Sequence, residues 1–499
     1  MSSVAPKEIL HGDAARQALK RGMKKLANAV KVTLGPCGRL VIYQTPYTPC
    51  PTKDGISVAK NVALKDPFEN MGADLIRQAA QKTVEEAGDG TTTATVLAMA
   101  MIEGGMKLLK KNQNVQAIRR GMEKAVIKAE EIIKASAIIV GLNDVEGIAA
   151  VSANDPVIGK LVFDAIKAVG IDGVVTVEQS NGLVTTVEVA EGMQIERGYV
   201  SPYMAGPDGK VDLKDVPVAI TDRKLTEARQ ILAFMETAQK AGHSKMLLIC
   251  EELEGTALTM AVVNRMKGAF NCVVVTPPWH GDNKKAILED IAVLTGATVL
   301  TEEIGVKGCP PEALGHIARL TGTKDKTVLV GGSGEPKKIL ERVALICEEI
   351  KNAEPGYTRD NLEERRAKLG AGIAVIKVGG ATENEMLERK DRVDDAVLAT
   401  KAALLEGIVG GAGRIYREIL EQSESNGLEK GECCGYNIVM DSLQEPERII
   451  ARNACLSFQE LREGSQEIMD PAKVARCAIK NAVSVAIMVL TSDCVMAEA

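Results

Sequence analysis

The stretch Gly88-Asp89-Gly90-Thr91-Thr92-Thr93-Ala94 is the one best suited to chemistry. Two glycines let the backbone turn sharply and approach a ligand closely. A helix starting at Thr91 would offer unpaired N–H groups, a positive dipole end and three hydroxyls, together a cradle for phosphate. Asp89 between the glycines supplies a hard oxygen, as a Mg²⁺ carrying phosphates requires. The Gly-Asp-Gly part alone would also serve a plain helix–helix turn. Three consecutive threonines, poor helix formers, ask for a further reason. Thr33-Leu34-Gly35-Pro36 and Lys53-Asp54-Gly55 are two more glycine turns, each of which alone reads as an ordinary β-turn. Asp394-Asp395 reads as acidic charge beginning an Ala-rich helix. Gly407 to Gly413 permits close contact with a flat ligand or merely a tight turn. No GxxxxGK[ST] occurs, which excludes a P-loop enzyme, and the protein-kinase set is absent.

These segments need elements to hold them. From Asp13 to about Ser136 the chain reads as long helices rich in Ala, Met and Leu. Asp66-Pro67 is an N-cap followed by Pro at the first helical position, and Met71, Leu75, Ala79 and Val84 keep near-helical spacing up to Ala87. A second helix is predicted from Thr91 to about Met101. From about Gly170 the texture changes to β-branched runs, Gly173 to Val177 and Thr185 to Val189. Between about 191 and 373 apolar strands alternate with helical stretches: Met246 to Cys250, Ala257 to Met266, Cys272 to Val275, Lys284 to Leu294, Thr298 to Leu300. That alternation predicts an α/β layer structure. After about Glu383 Ala-rich helices return, through Arg392 to Glu406 and Lys473 to Leu490. The ends resemble each other and the middle differs, so the expected architecture is one helical domain made of both termini with an α/β domain inserted.

Composition narrows the function. The chain has 499 residues, 45% apolar and 26% charged, an ordinary globular balance with room for several domains. Lys+Arg 61 against Asp+Glu 67 gives −6, so no basic field points to nucleic acid or a membrane surface. Aromatics are only 3%, which disfavours base-stacking surfaces and carbohydrate clefts. Eleven Cys with no CxxC, and an N-terminus without an apolar core, lead us to expect reduced thiols and a cytoplasmic protein. The longest apolar run, Ala482 to Leu490, is about half a bilayer span. Four His residues, none beside a Cys cluster, leave little basis for a zinc site or a histidine triad.

The turns, together with Glu69-Asn70-Met71-Gly72-Ala73, Glu191-Gly192-Met193-Gln194, Arg197-Gly198-Tyr199-Val200-Ser201-Pro202-Tyr203, Val375 to Gly379 and Asp470-Pro471-Ala472-Lys473-Val474, resemble the group I (GroEL-type) chaperonins collinearly from about residue 7 to 496. The resemblance implies a multidomain α and α/β chain. A helical equatorial ATPase domain would comprise 1–135 and 406–499, a small α/β intermediate domain 136–190 and 374–405, and an inserted α/β apical domain 191–373. It implies ATP along Thr33, Leu34, Gly35 and Pro36, with Lys53 reaching the phosphates. Asp89 would hold Mg²⁺, and Gly90, Thr91, Thr92 and Thr93 would cradle phosphate; K⁺ is a further ion by the same resemblance. Asp395 would position the attacking water, helped by Asp54, while Gly411, Gly413 and Asp470 would contact base and ribose. Such a site agrees with phosphoryl transfer, which needs charge neutralisation and an aligned nucleophile rather than a covalent residue.

For the inserted segment the resemblance implies a client-binding surface of Tyr199, Tyr203, Met204, Leu232, Met235, Leu258, Val262 and Val263. Leu232 and Met235 lie i,i+3 and Leu258 and Val262 i,i+4, spacings that amphipathic core helices share. It also implies a homo-oligomeric, heptameric ring, non-native client proteins and a co-chaperonin, with no nucleic-acid or membrane partner. There are departures. Ala412 replaces the middle residue of a Gly-Gly-Gly, the segment between Asn453 and Asp470 is short and lacks an adenine-contacting Asn-Ala-Ala, and Trp279-His280-Gly281-Asp282 replaces Gly-Phe-Gly-Asp. The sequence also ends at Ala499 without a Gly-Gly-Met tail. The expected function is therefore an ATP-driven folding chaperone in a divergent, shortened form. The alternative is a degenerate chaperonin that scaffolds proteins with little or no turnover. Retention of Asp54, Asp89 and Asp395 together favours the ATPase.

Overall fold

The computed structural model describes residues 7–498 apart from 45–48, 110–113, 154, 172, 181, 208, 280, 302–308, 353–356, 371 and 426. His280 thus lies outside the described residues. The chain divides into two compact units, one of residues 1–164, 177–186 and 377–499, the other of 165–176 and 187–376. The multidomain α and α/β architecture expected from the sequence is the one observed.

The first unit is a helical bundle around one apolar core, to which the helices Gly12–Val30, Pro67–Ala87, Thr91–Leu109, Val115–Ser136, Lys430–Ser442 and Ala472–Thr491 all contribute. Asp66 caps the Pro67 helix with its carboxylate, accepting from the Phe68 and Glu69 N–H groups, as the Asp-Pro signal predicts. The Ala472–Thr491 helix is long and apolar enough to cross a membrane, yet 67% of its most apolar window is buried within the protein, where it packs on the Pro67, Thr91 and Val115 helices.

Two helix pairs meet by the same device. Where the Gly12 and Pro67 helices cross, a Cβ on Gly22 would sit 1.7 Å from the Glu69 carbonyl oxygen, and one on Gly72 2.1 Å from that of Leu19. Where the Val115 and Lys430 helices cross, Gly121 faces the Glu432 carbonyl at 1.9 Å and Gly435 that of Ile118 at 2.0 Å. Each crossing is clamped by a buried carboxylate. Glu69 accepts from Arg21 Nε at 2.8 Å and from Lys25, and Glu432 from Arg120 Nε at 3.0 Å and Lys124 Nζ at 2.6 Å. In each clamp the lysine, then the arginine, holds the glutamate below the usual carboxylate range. The sequence carries the pattern twice, as Arg-Gly-Met-x-Lys against Glu-x-x-Gly.

In the second unit a seven-stranded mixed sheet runs in the order Asn271–Val275, Lys245–Ile249, Val211–Thr221, Gly315–Gly322, Thr327–Gly332, Gly192–Ile195, with Val299–Leu300 pairing beside Val211–Thr221. Period-two alternation sends Leu247, Ile249, Val273 and Val275 to one face, against the helices Asp282–Thr295 and Pro336–Asn352. Met246, Leu248, Cys272 and Val274 go to the other, against Ala228–Lys240 and Gly255–Met266. The predicted α/β layers are therefore present, with element boundaries within a few residues of those read from the sequence.

One expectation is corrected. Asp394 and Asp395 do not begin a helix but lie deep inside the 24-residue helix Glu383–Glu406. Thr382 caps its true start, accepting from the Glu385 N–H at 3.2 Å. The i,i+4 pairs Glu385–Arg389 and Glu388–Arg392 then carry it through a polar stretch that looks unhelical by apolar spacing.

The glycine crossings make a direct prediction. Gly435→Ala should lower the unfolding free energy by about 3 kcal/mol, because backbone rather than a flexible side chain must yield. Gly147→Ala, at an open helical position, should be neutral or stabilising by about 0.5–1 kcal/mol. Denaturant unfolding of the two variants against the parent checks this, and equal effects would refute it.

Candidate functional site

Three glycine turns that are far apart in sequence meet inside the first unit. The Gly12 helix runs into a short turn, Lys31–Thr33, where Thr33 Oγ1 donates to the Val30 carbonyl at 2.9 Å and lies 3.2 Å from Thr92 Oγ1. Gly55 has no room for a side chain: a Cβ would meet Thr92 Oγ1 at 2.3 Å and Thr91 Oγ1 at 2.8 Å. The loop after Thr33 is pinned from across the unit by Asn453, whose amide donates to the Lys31 carbonyl at 3.0 Å and the Leu34 carbonyl at 2.9 Å. Leu34 packs on Ile450, Ala451 and Leu461. Thr33, Thr91 and Thr92 are buried, whereas Gly35, Pro36 and Lys53 are exposed.

Asp54 caps the helix Gly55–Asn61, its two oxygens accepting from the Ile56 and Ser57 N–H groups at 3.0 Å each. The Pro67 helix ends at Gly88 in the left-handed conformation (φ 81°), and Gly90 repeats it (φ 89°). Asp89 between them accepts from the Gly90 N–H. Gly88 is packed under the Glu383 helix, for a Cβ there would lie 2.4 Å from that of Leu398. This places Asp395, one turn earlier on that helix, over the same turn.

A strand pair places the remaining carboxylate. Ile408–Gly410 runs antiparallel to Met469–Pro471, with Val409 opposite Asp470. Gly411 continues the contact by donating its N–H to the Ile468 carbonyl at 2.8 Å, and Asp470 accepts from the Ala412 backbone. Gly413 (φ 86°) turns the chain against Glu447.

The electrostatics single out this region. Burial pushes the Asp395 carboxyl well up, and Asp89, Asp54, Asp391 and Asp394 push it further. Burial also raises Asp89, opposed by the Gly90 hydrogen bond and reinforced by Asp54. Asp470 is pushed up to about 6 by burial and by Asp89, against the pull of the Ala412 hydrogen bond and Arg414. The buried Tyr416 phenol is raised by burial, then by Asp470 and Asp89. Like charges brought together partly out of water call for a proton or a cation. Among the described residues no three His, Cys, Asp or Glu side chains are placed to hold a metal alone. The set therefore fits a hard divalent ion that takes most of its ligands from a bound anion and water. Sequence reasoning missed Asn453, which no local signal marks, and Tyr416 and Asp391; the i−4 spacing from Asp395 could have revealed Asp391.

In the second unit the expected apolar surface divides. Tyr203 is 64% exposed, Val263 lies at the surface, and Tyr199, Leu232, Leu258 and Val262 are half-buried. Met204 and Met235 belong instead to the core between sheet and helices. The correction has a simple cause: Met235 follows Ile231 at i+4 on the inward face of its helix, and Met204 sits beneath strand Asn271–Val275, its sulfur accepting from the Val274 N–H. Met266, 71% exposed, extends the outer face.

A model of the TCP-1/cpn60 chaperonin family matches residues 26–464. Among solved structures the chain is similar to the chaperonin gp146 from the bacteriophage EL 2 (Pseudomonas aeruginosa), crystallised in the presence of ATP-BeFx. Crystal form II shares 22% identity at a TM-score of 0.66, with 98% of each chain covered. Crystal form I shares 22% at 0.61, with 98% of this chain and 99% of that one covered.

The raised carboxyls make stability depend on pH. Folded Asp470 keeps a proton that the unfolded chain releases near its ordinary pH of about 4, so stability falls as pH rises from about 4 to 6. Above that window the penalty is complete. In Mg²⁺- and nucleotide-free buffer, Asp470→Asn should flatten this fall and exceed the parent in stability at pH 7.5 by up to about 3 kcal/mol. Urea unfolding between pH 4 and 8 measures it, and parallel curves for parent and variant would contradict the assignment.

Proposed function

The chain belongs to the TCP-1/cpn60 chaperonin family, and from that premise we propose that it is an ATP-dependent molecular chaperone that captures non-native proteins on apolar apical surfaces. The observation that carries the ATPase part is the convergence of Asp54, Asp89 and Asp395 on one left-handed glycine turn, beside the Thr33–Thr92 contact. We assign residues 1–135 and 406–499 to an equatorial domain, 136–190 and 374–405 to an intermediate domain and 191–373 to an apical domain.

In this reading Gly90 and the N–H groups opening the Thr91 helix, with the Thr91, Thr92 and Thr93 hydroxyls, bind the phosphates of ATP. Thr33 to Pro36 line them, and Lys53, exposed and free to swing, supplies a compensating charge. Asp89 would hold Mg²⁺, which when bound neutralises phosphate charge. Asp395 orients the attacking water and accepts its proton, its basicity kept high by burial and neighbouring carboxylates. Asp54, tied by its capping bonds, orients water alongside it. Asp470, with Gly411 and Gly413, receives the ribose and base. K⁺ joins Mg²⁺ as a further ion of the site.

Assembly is proposed to be a homo-oligomeric, heptameric ring, since a repeated heterologous contact that closes gives a ring. Clients and a co-chaperonin are its partners, and the cytoplasm its compartment. The balance of 61 basic to 67 acidic residues gives no support to nucleic acid or a membrane as a partner.

Two outcomes test the reading. Asp395→Ala should leave ATP affinity within a few fold and lower hydrolysis by roughly 10²–10⁴. Asp89→Ala should weaken binding and hydrolysis together, because phosphate charge is left unneutralised. Nucleotide titration and steady-state phosphate release, with assembly followed by native mass, decide it; Asp395→Ala turning over at the parent rate would refute the assignment. On the apical side, Leu232→Ser or Val262→Ser should abolish suppression of client aggregation at unchanged ATP hydrolysis, each losing roughly 1.5–3 kcal/mol of apolar contact. Met235→Ser should instead destabilise the fold, by about 2–5 kcal/mol in chemical unfolding. Serine variants at 232 and 262 that unfold like Met235→Ser would show a core rather than a binding surface.

A further inference from the structure

On the helix Gly255–Met266, Leu258, Val262 and Arg265 stand at i, i+4 and i+7, so they form one stripe along its side. That helix packs on the short turn Pro202–Met204, which carries the exposed Tyr203. The stripe therefore begins in the apolar surface and ends in a cation. Arg265 is half-buried, and among the described residues it pairs with no carboxylate. Its guanidinium donates to Asn271 Oδ1.

A cavity of about 380 Å³ opens at this end, lined by Ser244, Arg265, Gly268, Phe270 and Asn271. The helix stops, left-handed Gly268 (φ 66°) turns the chain, and Asn271 opens the strand Asn271–Val275. A Cβ on Gly268 would meet nothing within 4 Å, so that side of the cavity is open. Phe270 is buried and gives it an apolar wall. Asn271 has used its side-chain oxygen on Arg265 and keeps its amide N–H groups to donate. Ser244 offers a hydroxyl, while its carbonyl accepts from the Asn271 backbone N–H at 2.9 Å. Lys245, the register partner of Asn271 on the adjacent strand, is a second half-buried cation with no ion pair among the described residues. Asp215, on the neighbouring strand Val211–Thr221, is already held by His316 at 2.6 Å. Positive charge kept partly out of water beside donors without acceptors calls for an anion.

We propose that this cavity takes a carboxylate: an acidic side chain of a bound non-native segment whose apolar residues lie along Leu258 and Val262. The inference rests on the client-binding reading above and names its substrate class, apolar segments with an acidic residue close by. From Leu258 to Arg265 the helix rises about 10 Å, which an extended chain crosses in about three residues. The recognised pattern is thus an apolar residue and, at that spacing, an Asp or Glu. The apolar stripe gives affinity to many sequences, and Arg265 ranks and orients them.

Fluorescence anisotropy on the full chain without nucleotide tests this, with short labelled peptides whose ends are blocked. One peptide of Leu, Ser and Gly carries a Glu about three residues from its Leu pair; a second has Gln there, and a third Lys. At low salt the parent should bind the Glu peptide about tenfold tighter than the Gln peptide, and high salt should shrink that preference. Arg265→Gln should abolish the preference and leave the Gln peptide's affinity within twofold. Arg265→Glu should favour the Lys peptide instead. Val262→Ser should weaken all three alike. Equal affinity of the parent for the Glu and Gln peptides would overturn the inference, as would a preference that survives Arg265→Gln. If Arg265 only ties helix to strand, Arg265→Gln and Asn271→Ala would weaken every peptide equally, and the carboxylate site would be refuted. A parent chain that binds none of the peptides would instead overturn the client-binding reading beneath it.

Discussion

Like charge gathered partly out of water is the constraint on which the first unit depends. Asp54, Asp89, Asp391, Asp394 and Asp395 act on one another, and for Asp89, Asp391 and Asp395 burial adds more than any single neighbour. Left to themselves such groups separate or take up protons. They stay together because each is fixed by something other than its charge: Asp54 by two backbone N–H groups, Asp89 by left-handed glycines on either side, Asp395 by a helix seated on Gly88. The repulsion is thus held against the scaffold, and a cation placed there would relieve it. In the proposed reading, a metal-bound polyanion would gain twice, from its own contacts and from ending that repulsion.

The scaffold has to be stiff, and the paired glycine crossings explain how. The Gly12 helix leads into Thr33 and the Pro67 helix leads into Gly88-Asp89-Gly90. Their separation is set where Gly22 and Gly72 let backbone touch backbone, with Glu69 clamped by Arg21 and Lys25 beside the contact. Helices behave as rods over this distance, so fixing the crossing fixes where both loops emerge. The Gly121–Gly435 crossing repeats the device on the other flank of the same core. Packing and site geometry are in this sense one problem, solved by residues that carry no catalytic chemistry.

How much of this could be read from the sequence differs by kind of signal. Local chemistry was legible: the Asp66-Pro67 start, the helix from Thr91, the strands with period-two alternation, and the glycine turns that end up together. Signals that depend on partners far along the chain were not. Asn453 reaches a loop more than 400 residues away, and nothing beside it in sequence marks that use. The first turns of the Glu383 helix, before Arg392, were hard to read because their support is charge pairing, not apolar spacing. Met204 and Met235 show the limit of a family resemblance. Spacing put Met235 on a helix face, but only packing decides which face meets the core.

Ala412 shows how a substitution is absorbed by its surroundings. It occupies the left-handed region at φ 53°, where a Cβ costs an L-residue roughly 1–2 kcal/mol and a glycine nothing. The turn nevertheless keeps its shape, because the flanking contacts prescribe it. Gly411 is tied to the Ile468 carbonyl, the Ala412 backbone donates to the half-buried Asp470 carboxylate, and Gly413 is pressed against Glu447. The hydrogen bond to Asp470 favours the charged carboxylate and partly offsets what burial costs it, so the strained residue and the strained charge support each other. The methyl is then the only change presented to a ligand lying along the turn. A difference in recognition at this end of the site would therefore come from added apolar bulk and from the short 453–470 segment, while the backbone path of the turn stays as a glycine would have it.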